Sequence, residues 1–191
     1  MHSLKIIIGD SDAGQRKELK KMLNAMGHVV VGEASNSLET LKILRRLTPD
    51  LAFITHNSTL RDGEHVAEII EEEKLCAVIL LVEPGYVGLY GRSENETMIP
   101  YLRKPVLAAT LEPIVNIAVS RFREIIKLEE EINKLKDTIM TRKLVEKAKG
   151  LLMSHQGLSE TEAFRRIQKQ AMNKRTSIKS IAQAIILAYG A

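Results

Sequence analysis

The chain has 191 residues, 45% hydrophobic and 27% charged, with one cysteine, no tryptophan and a net charge of +4. That length and composition fit one large or two small folded domains and exclude a chain disordered throughout. The lone Cys76 excludes a disulfide framework, Met1–Lys5 shows no signal peptide, and no apolar run approaches the ~20 residues of a membrane span, so a cytoplasmic protein without membrane contact is expected.

Leu4-Lys5-Ile6-Ile7-Ile8-Gly9 reads as a short buried strand ending at Asp10-Ser11-Asp12. Gln15–Met26 places Leu19, Met22, Leu23 and Met26 on one helical face, and His28–Gly32 reads as a second strand. A helix is predicted over Ser37–Leu47, a strand over Leu51–Ile54 ending at Thr55, and a helix around Glu64–Glu73. Leu75–Val82 is almost wholly apolar, as in a strand covered on both faces. A less regular stretch, Glu83–Glu96, precedes a strand over Met98–Leu102, which ends at Lys104-Pro105 before a helix beginning near Ala108. Five strands alternating with five helices predict a doubly wound parallel sheet with its working loops at the carboxyl ends of the strands. Asp10, Thr55, Val82 and Lys104 fall at such ends.

With that frame, residues 1–113 resemble a response-regulator receiver domain, the CheY-like (βα)5 fold. Aligned on Pro49-Asp50 and Asp62-Gly63, the resemblance puts the phosphoacceptor position on Thr55. It puts the acidic cluster on Asp10, Ser11 and Asp12, the hydroxyl position on Val82, and the conserved-type Lys-Pro on Lys104-Pro105. A neutral threonine is a weak nucleophile and cannot ligate Mg²⁺ as a carboxylate does. The resemblance therefore implies a pseudo-receiver that takes no phosphate, with Lys104 paired to Asp10 or Asp12. The alternatives are that Thr55 is itself modified, or that Asp50 or Asp12 substitutes for the acceptor.

Ile125, Leu128, Ile132, Leu135 and Ile139 step by three and four, with charged residues between them, and no Pro or Gly interrupts residues 114–149. Ile at a and Leu at d favour a parallel two-stranded coiled coil, so residues 114–142 are expected to form a linker helix that makes a homodimer. The bland alternative is an amphipathic helix packed on its own chain.

Charge is unevenly placed. Residues 1–113 hold 13 Lys and Arg against 16 Asp and Glu, whereas residues 141–191 hold 10 against 3. A basic tail suits a polyanion. Leu144, Ala148, Leu151 and Leu152 continue the long helix, which Ser154–Gly157 stops. Ser159-Glu160-Thr161-Glu162 is a capping box for a helix carrying Ala163, Phe164, Ile167 and Ala171 inward. Asn173–Thr176 breaks that helix, and Ser177 caps a last one with Ile178, Ile181, Ala182, Ile185 and Ile186 apolar.

The run Ala148-Lys149-Gly150-Leu151-Leu152-Met153, then Ser159–Phe164, Ala171-Met172 and Arg175-Thr176-Ser177-Ile178, resembles an ANTAR domain over residues 143–191. The resemblance implies an all-α three-helix module that binds paired hairpins in leader mRNA and so prevents termination of transcription. On that footing Lys149, Arg165, Lys174, Arg175, Thr176, Ser177 and Lys179 are the expected RNA contacts. Ala148 and Gly150 are expected to serve helix packing, and Met153 and Met172 the core. Two other readings remain open here: a DNA-binding response regulator, and a protein-interaction module that meets a regulatory partner at the receiver face. Nothing points to an enzyme or a cofactor, because no nucleophile–base pair is evident and the histidines His2, His28, His56, His65 and His155 show no metal spacing.

Overall fold

The computed structural model describes residues 3–56, 62–85 and 99–190. The irregular stretch expected over Glu83–Glu96 and the strand start at Met98 lie largely outside those residues. The chain divides into two compact units, Met1–Ile126 and Lys127–Ala191.

The first unit is built on β1 (Lys5–Gly9), β2 (Val29–Ala34), β3 (Leu51–His56), β4 (Ala77–Val82) and β5 (Tyr101–Arg103). These form one parallel sheet in the order β2-β1-β3-β4-β5. The order reverses between β1 and β3, which is where a doubly wound sheet opens its working crevice. Around it lie α1 (Ala13–Ala25), α2 (Ser37–Leu47), α3 (Asp62–Glu72) and the first turns of α4 (Ala108–Gln156).

Successive strand residues point to opposite faces. Ile6, Ile8, Leu51, Phe53, Ile79 and Leu81 therefore join α1 and Leu111, Val115, Ala118 and Val119 of α4 in one core. Ile7, Ala52, Ile54, Val78, Leu80 and Val82 join α2 and α3 in the other. Because α4 buries Val115, Ala118 and Val119 here, this unit closes at Ile126 rather than at the expected residue 113. No proline or glycine marks that point, so the uninterrupted helix hid it.

The second unit packs Val145, Ala148 and Leu152 of α4 against Ala163, Ile167 and Ala171 of α5 (Glu160–Asn173) and Ile181, Ala182 and Ile185 of α6 (Ile178–Tyr189). The capping box forms as the sequence predicts: the Glu162 N–H donates to Ser159 Oγ, and Glu162 Oε2 accepts from the Ser159 N–H at 2.9 Å. Three expectations are corrected. Phe164 is 39% exposed rather than inward, and Met153 and Met172 are 40% and 78% exposed rather than core. Gly150 is exposed, and a Cβ there would meet nothing within 4 Å, so it serves no helix packing inside the chain.

Candidate functional site

The register of the sheet assembles the receiver-like centre. Gly9 pairs with Ile54, so Asp10 and Thr55 follow as neighbours, and Val82 pairs with Arg103, which brings up Lys104. Asp10 is 4% exposed, and both of its carboxylate oxygens are occupied. The Asp12 N–H donates to Oδ1 at 2.8 Å. Thr55 Oγ1 donates to Oδ2 at 2.5 Å, and Lys104 Nζ donates to the same oxygen at 2.8 Å. Lys104 is itself 9% exposed, so this is a buried ion pair with a hydroxyl bonded into it.

Asp12 has a different task. Its Oδ1 accepts from the N–H groups of Gly14 and Gln15 at 2.7 and 3.0 Å and caps α1. Those two backbone bonds hold its carboxyl below the usual carboxylate range. Ser11 is exposed. Asp50 lies at the opposite end of β3 from Thr55, where its Oδ2 accepts from the Lys5 N–H at 2.7 Å, so it cannot substitute for the acceptor.

The hydroxyl position also moves. Val82 is fully buried on the α2–α3 side of the sheet and faces away from Asp10. The residue with the same parity as Ile79 and Leu81 is Glu83, whose Oε1 lies 3.6 Å from Lys104 Nζ. A carboxylate thus stands where a receiver needs a hydroxyl donor.

Receivers use Mg²⁺ at this point, and the residues present do not fit it. Asp10 spends its oxygens on protein donors, Asp12 caps a helix, and Thr55 offers a hydroxyl already donated. Among the described residues no group of three or more His, Cys, Asp or Glu is placed to hold a metal ion.

In the C-terminal unit the seven expected contacts separate. Lys149 is 8% exposed, and its Nζ donates to Glu146 Oε1 at 2.8 Å and Glu160 Oε1 at 2.7 Å. It ties α4 to α5 and is not free to meet RNA. Those bonds, Glu146 first, raise its pKa, and Lys149 in turn lowers that of Glu160. Ser177 is the N-cap of α6, accepting from the Ser180 N–H at 3.1 Å. Lys179 Nζ donates to Asp137 Oδ1 at 2.5 Å. Arg165, Lys174, Arg175 and Thr176 are exposed.

The paired charges carry a pH signature. Glu160 and Glu162 have depressed pKa values, the latter through the Ser159 side chain and then its backbone N–H. Their contribution to stability is present above the ordinary 4.5 and is lost as pH falls through the folded values. Lys149 has a raised pKa, so its contribution is present below the ordinary 10.5 and is lost at higher pH. Thermal melts of the full chain followed by helical circular dichroism are expected to plateau between these limits. Glu160→Gln flattens part of the acid slope and removes part of the plateau.

The turn from α5 to α6 is a Schellman closure. The Thr176 N–H donates to the Ala171 carbonyl at 3.0 Å and the Arg175 N–H to the Met172 carbonyl at 3.1 Å. Its left-handed position, usually glycine, is Arg175 with φ 47°.

Residues 133–186 match the model of the ANTAR domain. The chain is 35% identical over 186 residues to the transcriptional regulatory protein PdtaR of Mycobacterium tuberculosis, spanning 97% of this chain and 91% of that one. The chain belongs to the ANTAR-domain response regulators. A shorter likeness, 40% over 63 residues, covers 33% of this regulator and 16% of the nitrate regulatory protein of Klebsiella oxytoca. In fold, the regulator superposes on the signal receiver domain of a modulated diguanylate cyclase from Desulfovibrio desulfuricans with a TM-score of 0.55 at 22% identity, over 64% of this chain and 98% of that one. No helix among the described residues is long and apolar enough to cross a membrane.

Proposed function

We propose that this transcriptional regulator is an RNA-binding antiterminator of the cytoplasm. Its C-terminal unit binds paired hairpins in a leader transcript and so keeps a terminator hairpin from forming. The observation that carries the reading is the exposed basic corner between α5 and α6. Lys174 and Arg175 are exposed there, and Arg175 holds a left-handed backbone that glycine would adopt without strain. An arginine kept at that cost, of order 1 kcal/mol, argues for a use of its guanidinium. Phosphates of a hairpin are the partner that a strongly basic, helical unit suits.

The receiver unit is read as one that is not phosphorylated. Asp10, Thr55 and Lys104 satisfy one another, and Glu83 opposes a second negative group. Control then passes through a regulatory protein that contacts the receiver surface, rather than through a phosphoryl group.

A homodimer would present two C-terminal units to two hairpins. Leu128, Ile132, Leu135 and Ile139 are 51, 48, 64 and 55% exposed along α4, while Ile125 is half-buried. Four large apolar residues left in water on one heptad stripe are what a parallel coiled coil would cover. Ile132→Val removes one methylene per chain, worth about 0.8 kcal/mol each, and is expected to raise the dimer dissociation constant about tenfold by sedimentation.

The functional test is transcription in vitro from a template with two leader hairpins and a terminator. Read-through is expected to rise with added protein, and to be lost when either loop sequence is scrambled. Read-through indifferent to the hairpins would sink the proposal.

A further inference from the structure

Phe164, Gln168 and Met172 follow one another at four-residue spacing, so they share one face of α5. The buried face of that helix is Ala163, Ile167 and Ala171, one residue round from them. The stripe is therefore turned out of the core: Phe164 is 39% exposed and Met172 78%, and Gln168 is exposed between them. Arg165 is exposed beside Phe164. At the other end, Met172 supplies the carbonyl that closes the Arg175 turn, so the stripe runs into the Lys174–Arg175 corner.

We propose that this stripe is a stacking site for an unpaired nucleobase of the hairpin loop. The inference rests on the RNA-binding reading of the C-terminal unit and adds to it the class of group that is recognised. An aromatic face beside cations is how proteins hold unstacked bases, the ring taking the base and the cations neighbouring phosphates along the strand. Gln168 adds an amide that reads the edge of that base by hydrogen bonds. The charge around the stripe selects this occupant. Arg165, Arg166 and Lys169 are exposed along α5 and Lys174 and Arg175 at its end, the acids of its first turn, Glu160 and Glu162, are already bonded to Lys149 and Ser159, and the stripe's two apolar side chains are separated by an amide. A polyanion carrying flat apolar faces complements that surface, whereas an apolar protein helix would leave Gln168 and the cations uncompensated.

The test uses the full chain and a single-hairpin RNA carrying 2-aminopurine at each loop position in turn. Phe164→Ala and Phe164→Leu are expected to weaken binding about ten- to a hundredfold and to abolish the fluorescence change at one loop position. Phe164→Trp is expected to restore both. Because the ring touches no phosphate, the slope of log K against log[salt] stays at the wild-type value in all three variants, while Arg165→Ala lowers it by about one. Helical circular dichroism checks that the leucine variant is folded. Wild-type affinity in folded Phe164→Leu overturns the stacking site and leaves the RNA-binding reading standing. So does a changed salt slope in that variant, or a loss of self-association on sedimentation, which would make the stripe a protein interface. A wild-type protein that binds no hairpin overturns both.

Discussion

Alanine at both Lys174 and Arg175 is expected to lower affinity for a two-hairpin leader RNA about a hundredfold and to cut the salt slope by about two, since each cation that meets a phosphate releases about one counterion. The fold should survive, because both side chains are exposed and the turn they occupy is closed by backbone bonds from Arg175 and Thr176 to Met172 and Ala171. A single substitution separates charge from shape. Arg175→Gly removes the guanidinium and relieves the left-handed backbone at φ 47°, so the C-terminal unit should be as stable or more so, by up to about 1 kcal/mol. RNA affinity should nonetheless fall about tenfold. Stability and binding moving in opposite directions would show that the strain is kept for the side chain. Unchanged binding in Arg175→Gly would place the RNA elsewhere. The measurements are a thermal melt and a filter-binding titration on the same preparation.

Lys104→Met is expected to destabilise the receiver unit by about 3–5 kcal/mol, the usual result of leaving one partner of a buried ion pair alone. Asp10 is 4% exposed, and without Lys104 it keeps, among the described residues, the Thr55 hydroxyl and the Asp12 N–H. Asp10→Asn together with Lys104→Met removes the charge as well and should recover most of the loss. Urea titrations measure both. Thr55→Ala costs less, about 1 kcal/mol, because Asp10 retains its ammonium partner. If Lys104→Met were as stable as wild type, the lock among Asp10, Thr55 and Lys104 would not exist in solution. Lys104, the residue that would meet a phosphoryl group, is paired with Asp10 and flanked by Glu83.

The sheet was legible because Ile6–Ile8, Leu51–Ile54 and Ala77–Val82 are apolar runs bounded by polar loops, and a threonine at the acceptor position was legible at Thr55. Which residue at the end of β4 faces the site was not. A strand buried on both faces shows no alternation, so nothing in Leu81-Val82-Glu83 announces its parity. Only the pairing of Thr55 with Leu81 fixes it and brings Glu83 to Lys104. A lysine in a basic tail suggests a polyanion partner, whereas Lys149 is buried and paired with Glu146 and Glu160. A signal against that partner was present: it shares the helical face of Val145, Ala148 and Leu152, which form the core. Phe164 and Ala163 differ by one residue on a helix whose buried stripe is narrow, so the apolar pattern alone draws both inward. Phe164 and Met172 were thereby hidden as a surface, although an aromatic beside Arg165 and Arg166 was visible in the sequence.

We propose an RNA-binding regulator whose receiver unit is deaf to phosphoryl donors. It is tested most directly by titrating the full chain against a two-hairpin leader RNA, a scrambled-stem RNA and a matched duplex DNA, each with and without acetyl phosphate and Mg²⁺. Hairpin-selective binding with the same dissociation constant in both conditions is expected. Equal binding to the duplex, or an affinity that shifts tenfold or more on adding the phosphoryl donor, would contradict it.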